Sequence, residues 1–333
     1  MRADYKTPGT PTILWIESDG TEIDRIVGFD GDRDKFFQTL KDYAQGKNTL
    51  SALQSEYENN PEDVDLNYRM GMKFQQRYEM EKAQDYLKKV LELDPEDQKG
   101  YKEECTYEIA VWNSRANRDP EPIKAFIAAY PDSEKFLKNA YSNLAYTYQR
   151  AQDKENVAAT YEIILQKFPD DARMMSSYAS SIFSMKMEDL YEKGLELNKK
   201  SVALDPELER SAFYNLTAYY RNTENTEKML EEYDKAMQKW SDNASIKNGY
   251  GSTVATMKLE DRYDSAIELM EKTYAENPKS SYLLFTLHNL YKAKGDMDKA
   301  LDYLKKVAEA NPNTSYYRNA LEKFEKELEE NKK

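Results

Sequence analysis

The sequence predicts an all-α protein. It reads as a linear array of about seven antiparallel helix pairs, closed by a C-terminal cap helix and preceded by a small ββα unit. Three observations predict this. Prolines recur after residue 60 at Pro61, Pro95, Pro131, Pro169, Pro206, Pro278 and Pro312, with gaps of 34, 36, 38, 37, 72 and 34. Between them, apolar residues return every three to four positions, the spacing of a helix with one buried face. Strand-like runs, Thr12–Glu17 and Glu22–Phe29, are read only within the first 46 residues. The balance of 40% hydrophobic to 33% charged residues also favours helices that each bury a stripe over one large core.

The first element is Thr12–Glu17 (TILWIE), apolar and β-branched as strands are. Ser18-Asp19-Gly20-Thr21 has turn chemistry, and Glu22–Phe29 (EIDRIVGF) reads as the returning strand of a hairpin. Asp30–Asp34 supplies helix N-cap candidates. Phe36, Phe37, Leu40 and Tyr43 follow at helical spacing, and Gly46 is a plausible stop. The Asp30–Asp34 cluster lacks the Gly and terminal Glu positions of an EF-hand calcium loop.

Gly9-Thr10-Pro11-Thr12, the apolar strand, Asp19-Gly20 and Arg25-Ile26-Val27-Gly28 together resemble the C-terminal half of a thioredoxin-like domain, over residues 1–46. The resemblance implies that Pro11 is the family's cis-proline and Thr10 its docking residue. The family's Cys-x-x-Cys would lie upstream of residue 1. The sole cysteine, Cys105, falls in a helical stretch without a partner and reads as a small buried residue. This chain therefore carries no thiol pair for disulfide exchange. The resemblance leaves the first strand, residues 12–17, with an open apolar edge that a second copy could pair with.

Residues 47–333 form the array. Residues 49–60 read as a lone second helix. Repeats follow near 64–97, 98–131, 138–171, 172–206, 210–243, 247–280 and 281–314, with a polar cap helix at 314–330. The 72-residue gap is two repeats, with Trp240-Ser241-Asp242-Asn243 standing where a proline would be. Within a repeat the order is large–small, aromatic, small, large, small, Pro. It is seen as Met70-Gly71, Phe74, Ala83, Leu87, Val90, Pro95, and again as Leu287-His288, Tyr291, Ala300, Leu304, Val307, Pro312. Residues 210–243 give Leu216-Thr217, and residues 247–280 give Thr253-Val254, as the large–small pair. Two copies are irregular. Residues 98–131 have a long first helix, from Tyr101 to about Asn113, and a second helix after Asp119-Pro120-Glu121-Pro122. Residues 172–206 carry an insertion near Met185–Glu192.

This pattern resembles the tetratricopeptide repeat. Small residues let the two helices of a pair approach closely, aromatics fill the gap to the next pair, and Pro ends the second helix. The resemblance implies a right-handed superhelix that binds peptide or protein through a groove lined by the first helix of each pair. Mapped by position, the groove takes Tyr68, Met72, Ser142, Tyr146, Tyr214, Ala218, Gly251, Ala255, Tyr282, Phe285 and Asn289. A basic row, Arg150, Arg221, Lys258 and Lys292, follows at the ends of the first helices and could meet a partner's carboxylates. Cations there also complement the helix dipole, which is the plainer account. The Lys and Asn set with which some relatives hold a C-terminal carboxylate is not found in register.

Other function classes are excluded or left without support. A net charge of −13 opposes phosphate backbones and anionic lipid. No apolar run reaches membrane-spanning length. One Cys and one His, Cys105 and His288, cannot make a His/Cys zinc site. His288 stands at a normally small position and reads as a hydrogen-bonded core residue. No catalytic triad, phosphate loop, metal motif or cofactor motif is present. The expectation is a non-enzymatic scaffold. The alternative is a piece of a longer thiol–disulfide oxidoreductase or chaperone-like protein whose repeats recruit substrates, as in bacterial proteins that pair the two modules. Compartment, cytoplasmic or periplasmic, is not readable from the chain.

Overall fold

The computed structural model describes residue 9 and residues 11–29, 31–312 and 314–330. Thr10 lies outside the described residues. These contain seventeen α-helices, three 3-10 turns and one two-stranded antiparallel sheet. The chain forms two compact units, Met1–Met174 and Met175–Lys333.

In the first unit, β1 (Thr12–Ile16) and β2 (Glu22–Val27) form a hairpin with Thr12 opposite Val27 and Leu14 opposite Arg25. Gly20, at φ +90°, makes the turn. The amide of Gly28 donates to the carbonyl of exposed Pro11 at 2.8 Å. Then comes α1 (Arg33–Ala44), whose N-terminus is capped by Asp32, and α2 (Leu50–Asn59), capped by Thr49. The array continues with α3 (Val64–Gln76), α4 (Met80–Leu93), α5 (Lys102–Asn117), α6 (Glu121–Ala129), α7 (Leu137–Arg150) and α8 (Lys154–Lys167). The first helix of the irregular repeat, α5, runs four residues beyond the expected Asn113. Arg118, at φ +55°, ends it. Pro122 sits in the first turn of α6, where its missing N–H leaves no helix bond unmade.

The hairpin is fastened to the array by a buried ionic cluster. The fully buried Asp24 carboxylate accepts from Lys73 Nζ (2.9 Å), Arg77 Nη1 (2.8 Å), the Leu50 amide (2.9 Å) and the Arg25 amide (2.7 Å). Arg77 also donates to Glu22 and Glu79, both at 2.8 Å, and Lys73 donates to the Tyr43 hydroxyl at 2.8 Å. Trp15 packs edge-on against Tyr43 at 6.0 Å. One carboxylate thus ties together β2, α2 and α3. Burial pushes the Glu22 and Glu79 carboxyls up. For Glu22 hydrogen bonds from Arg25 and Arg77, and for Glu79 bonds from Lys82 and Arg77, outweigh it and hold both below the ordinary range. Burial pulls the Lys73 ammonium below its usual value despite Asp24.

The second unit begins within α9 (Ala172–Ser184). It continues through α10 (Tyr191–Leu204), α11 (Glu209–Asn222), α12 (Thr226–Lys239), α13 (Ala244–Thr256), α14 (Tyr263–Glu276), α15 (Ser281–Lys294), α16 (Met297–Ala310) and α17 (Ser315–Glu330). The connection at 185–190 ends in a 3-10 turn, Glu188–Leu190. A second such turn, Glu260–Arg262, precedes α14, where the sequence pattern shows no irregularity.

That second turn changes the register of α13. A Cβ on Gly71 would fall 2.6 Å from Leu87 Cδ2, and one on Gly251 would fall 2.9 Å from Met270 Cγ. Leu87 stands four residues after Ala83, and Met270 four after Ala266. Gly251 is therefore the counterpart of Gly71, the small residue where the paired helices touch. The large–small pair is Tyr250-Gly251, three residues before the expected Thr253-Val254. Gly251 and Ala255 are buried and do not line an open face. Asn248 and Ser252, both half-buried, take the positions assigned to them.

Nearly every turn from a first to a second helix passes one residue through the left-handed region. The residues are Tyr78, Arg118, Gln152, Lys186, Glu224, Lys258 and Gly295, at φ of +53° to +90°. Six of the seven are polar or Gly, types that bear this conformation or its solvent exposure most readily.

The array's last helix, α17, is held by Phe324. Its ring lies edge-on to His288 at 5.0 Å, and the Lys292 ammonium sits 4.6 Å from the ring centre. Lys292 also donates to Glu327 at 2.8 Å. Buried His288 bonds the Ala300 carbonyl through Nδ1 at 2.9 Å, so this nitrogen carries the proton. Burial is the main force lowering its pKa. Cys105 is fully buried, and burial pushes its thiol up to about 12, leaving it protonated and inert at neutral pH.

Candidate functional site

The candidate site is the face presented by the first helices, described separately for each unit. In the first unit Tyr68 is half-buried and stacks on Tyr101, with centroids 4.0 Å apart and planes at 4°. Its hydroxyl donates to Glu104 at 3.0 Å, and Lys135 donates to the same carboxylate at 2.9 Å. Burial first, then Glu104, raises the Tyr68 phenol well above its ordinary range. Tyr101 donates in turn to Asp65 at 3.0 Å. Met72 packs beside Tyr68 against Leu87, Val90 and Cys105. Tyr68 and Met72 thus serve the contact between successive repeats as well as the surface.

Ser142 donates to the Lys138 carbonyl at 3.0 Å and lies 3.4 Å from Met174 Sδ. Tyr146 is 44% exposed, with the Arg115 guanidinium 5.7 Å from its ring centre. Arg150 is exposed in the last turn of α7.

In the second unit Tyr214 is 41% exposed beside Phe213, and Arg221 is exposed in the last turn of α11. Tyr282 is 44% exposed at the start of α15. Asn289 is half-buried. Phe285 faces Tyr316 and Tyr317 of α17 at 5.7 and 5.6 Å, so the cap helix covers much of it. Lys292 is taken up by Glu327 and Phe324. Lys258 sits in the left-handed turn after α13, out of register with Arg221 and Lys292 in their last helical turns.

The basic row is therefore not one feature. Its members differ in partner and in place. Sequence reasoning passed over Tyr101, Glu104 and Arg115, which belong to the irregular repeat. The signal for Tyr101 and Glu104 was the aromatic and acidic run from Tyr101 to Tyr107, and Arg115 left none. Among the described residues no three His, Cys, Asp or Glu side chains gather as metal ligands. No described helix is long and apolar enough to cross a membrane.

Residues 64–97, 139–171 and 259–324 each match a tetratricopeptide repeat profile. The chain carries tetratricopeptide repeats. A tetratricopeptide repeat protein from Parabacteroides merdae shares the fold at a TM-score of 0.59 and 12% identity, over 78% of this chain and 98% of that one. A thermophilic repeat protein of Thermus thermophilus aligns at a TM-score of 0.43 and 18% identity, over 56% of this chain and 98% of that one. No curated protein sequence matches the chain significantly.

Proposed function

We propose that the chain is an interaction scaffold without a catalytic role, and that the first helices of each unit present an aromatic and polar face to a peptide or protein segment. The observation that carries this reading is the exposure of Tyr146, Tyr214 and Tyr282 on helices whose other large apolar residues are buried or half-buried. An exposed tyrosine offers a flat apolar face and a hydrogen-bonding tip at little cost in side-chain freedom. Ser142, Arg150, Arg221 and Asn289 supply polar contacts beside them, while Phe285, Lys258 and Lys292 contribute less because of their packing or their place in a turn.

The test is binding to a peptide array by the full chain and by Tyr146→Ala and Tyr214→Ala. Each variant is expected to lose about tenfold in affinity for ligands of its own unit, the size of a modest anchor. Unchanged binding to every ligand would remove the reading.

A second reading rests on the order hairpin then helix at the N-terminus. Residues 1–46 would be the thioredoxin-like part of a longer thiol–disulfide oxidoreductase or chaperone-like protein, with Thr10 and Pro11 in its docking loop. An in-frame Cys-x-x-Cys about 50–70 codons upstream is its requirement, because exchange needs a thiolate that this chain lacks. Self-association through β1, at residues 12–17, would show as a concentration-dependent mass in sedimentation.

A further inference from the structure

A trough of about 380 Å³ opens in the second unit among α10, α11 and α12. Its floor is a stripe of α11 from Glu209 to Leu216. One wall is a stripe of α10 from Leu195 to Val202, and the other a stripe of α12 from Glu232 to Lys239. Each stripe takes residues at i, i+3, i+4 and i+7, so each is two helical turns, about 10 Å, long. Trp240, which follows α12, lines one end and lies 6.3 Å from Phe213. By the same helical period Tyr214, Ala218 and Arg221 stand on the other side of α11.

The repeat pattern explains why the space is open. At the large position of the second helix the other regular repeats carry Leu87, Tyr161, Tyr233, Met270 or Leu304, and α10 carries Asn198. Three residues later they carry Val90, Ile164, Thr273 or Val307, whereas α10 and α12 carry Ser201 and Ala236. Asn198 is held in place by its own bonds: its amide donates to the Ala212 carbonyl at 3.1 Å, and its oxygen accepts from Asn215 at 2.9 Å. Asn198 and Ala236 both line the trough, so it lies where two side chains are shorter than their counterparts.

The charges around it do not balance. The lining holds three lysines and two glutamates. Lys239 pairs with Glu209, and Lys235 with Glu232 at 2.7 Å. Lys199 is exposed and makes no ion pair among the described residues, not even with Glu196 one turn before it on α10. One cation is therefore left over at the rim, on a chain whose net charge is −13.

We propose that this trough receives an amphipathic helix of a partner protein, with an apolar stripe two turns long and an acidic residue beside it that pairs with Lys199. Three stripes of equal length around an open fourth side are the surroundings of a helix in a four-helix bundle, which favours a helix over an extended segment. Leu195, Val202, Leu216 and Trp240 receive its apolar side chains, and tryptophan is a side chain that commonly anchors interfaces. The site does not depend on the tyrosines of the first helices.

The probe is a set of Ala- and Gln-rich helical peptides about 15 residues long, with Leu, Met or Phe at i, i+3, i+4 and i+7 and one Glu at a flanking position. They are titrated into the ¹⁵N-labelled full chain. At least one should shift the Trp240 indole signal and the amides of residues 195–202 and 232–240, and leave the indoles of Trp15 and Trp112 in place. Its counterpart with Lys for Glu should bind about threefold or more weakly, the size of an exposed ion pair. Lys199→Glu, a change at an exposed side chain, should reverse that preference. Val202→Glu, which sets a carboxylate in the wall, should weaken binding about tenfold. Tyr146→Ala should change nothing. A shuffled peptide of the same composition, whose apolar residues no longer share one face, should bind about tenfold more weakly. Equal binding of the shuffled peptide to the unaltered chain overturns the proposal however the variants fold. Failure of the whole set at about 1 mM, the weak limit of specific association, overturns it as well, and so does octanoate moving the same signals where no peptide does.

Discussion

At one end of the array a carboxylate with no exposure gathers a lysine, an arginine and two backbone amides. At the other a phenylalanine lies between an imidazole and an ammonium. Both arrangements close a stack of helix pairs that would otherwise expose an apolar face. They do so with opposite dependence on partners. The ionic closure at Asp24 is strong only while every member is present, because a buried charge left alone is costly. The aromatic closure at Phe324 degrades in proportion to the contacts removed. The comparison teaches that register and coverage are separate requirements. The Asp24 cluster fixes one relative position of hairpin and array, whereas the Phe324 contact mainly excludes water.

The largest expected effect comes from Asp24→Ala. It leaves buried Lys73 with only the Tyr43 hydroxyl and takes from buried Arg77 one of its three carboxylate partners, and should cost about 3–5 kcal/mol. Local opening measured by hydrogen exchange should rise across the hairpin, α1 and α3 and leave α15–α17 unchanged. A loss below about 1 kcal/mol would show that the cations find water or other partners, and the contrast between the ends would fail. Phe324→Ala comes next, at about 3 kcal/mol, confined to α15–α17. If α3 opened as well, the ends would not be independent.

The smallest effect separates the ends by pH. His288 has its folded pKa lowered, chiefly by burial, so its contribution is full above about 6.5 and is lost as pH falls below that towards the folded value. Glu22 and Glu79 also have lowered folded pKa values, so theirs is full above about 4.3 and is lost only at lower pH. Exchange protection, corrected for the intrinsic slowing of amide exchange in acid, should therefore fall in α15–α17 on acidification before it falls in the hairpin. His288→Gln should abolish the earlier step. Simultaneous loosening of both ends would contradict the assignment.

Most of the fold was legible because the repeat prints itself on the sequence many times. Gly71 and Ala83, or His288 and Ala300, obey the same contact rule, so each copy supports the others. The register of α13 was hidden because Thr253-Val254 imitates the large–small pair. A 3-10 turn absorbs three residues without disturbing the proline spacing. Of the candidate site, the exposure of Tyr146, Tyr214 and Tyr282 followed from position alone. The covering of Phe285 and Lys292 could not, because it depends on where α17 packs. The Asp24 cluster left no local trace: Asp24 looks like the polar half of an alternating strand, and its partners lie 49 and 53 residues away.

That separation bears on how the chain is made. A ribosome adding about 5–20 residues per second leaves the hairpin waiting several seconds for Arg77 to emerge. Until then Asp24 has neither of its cations, and the nascent strands have no settled place to rest. The hairpin is thus synthesised before the cations that fix it but is not finished before them, and a chaperone has its widest opportunity during that interval.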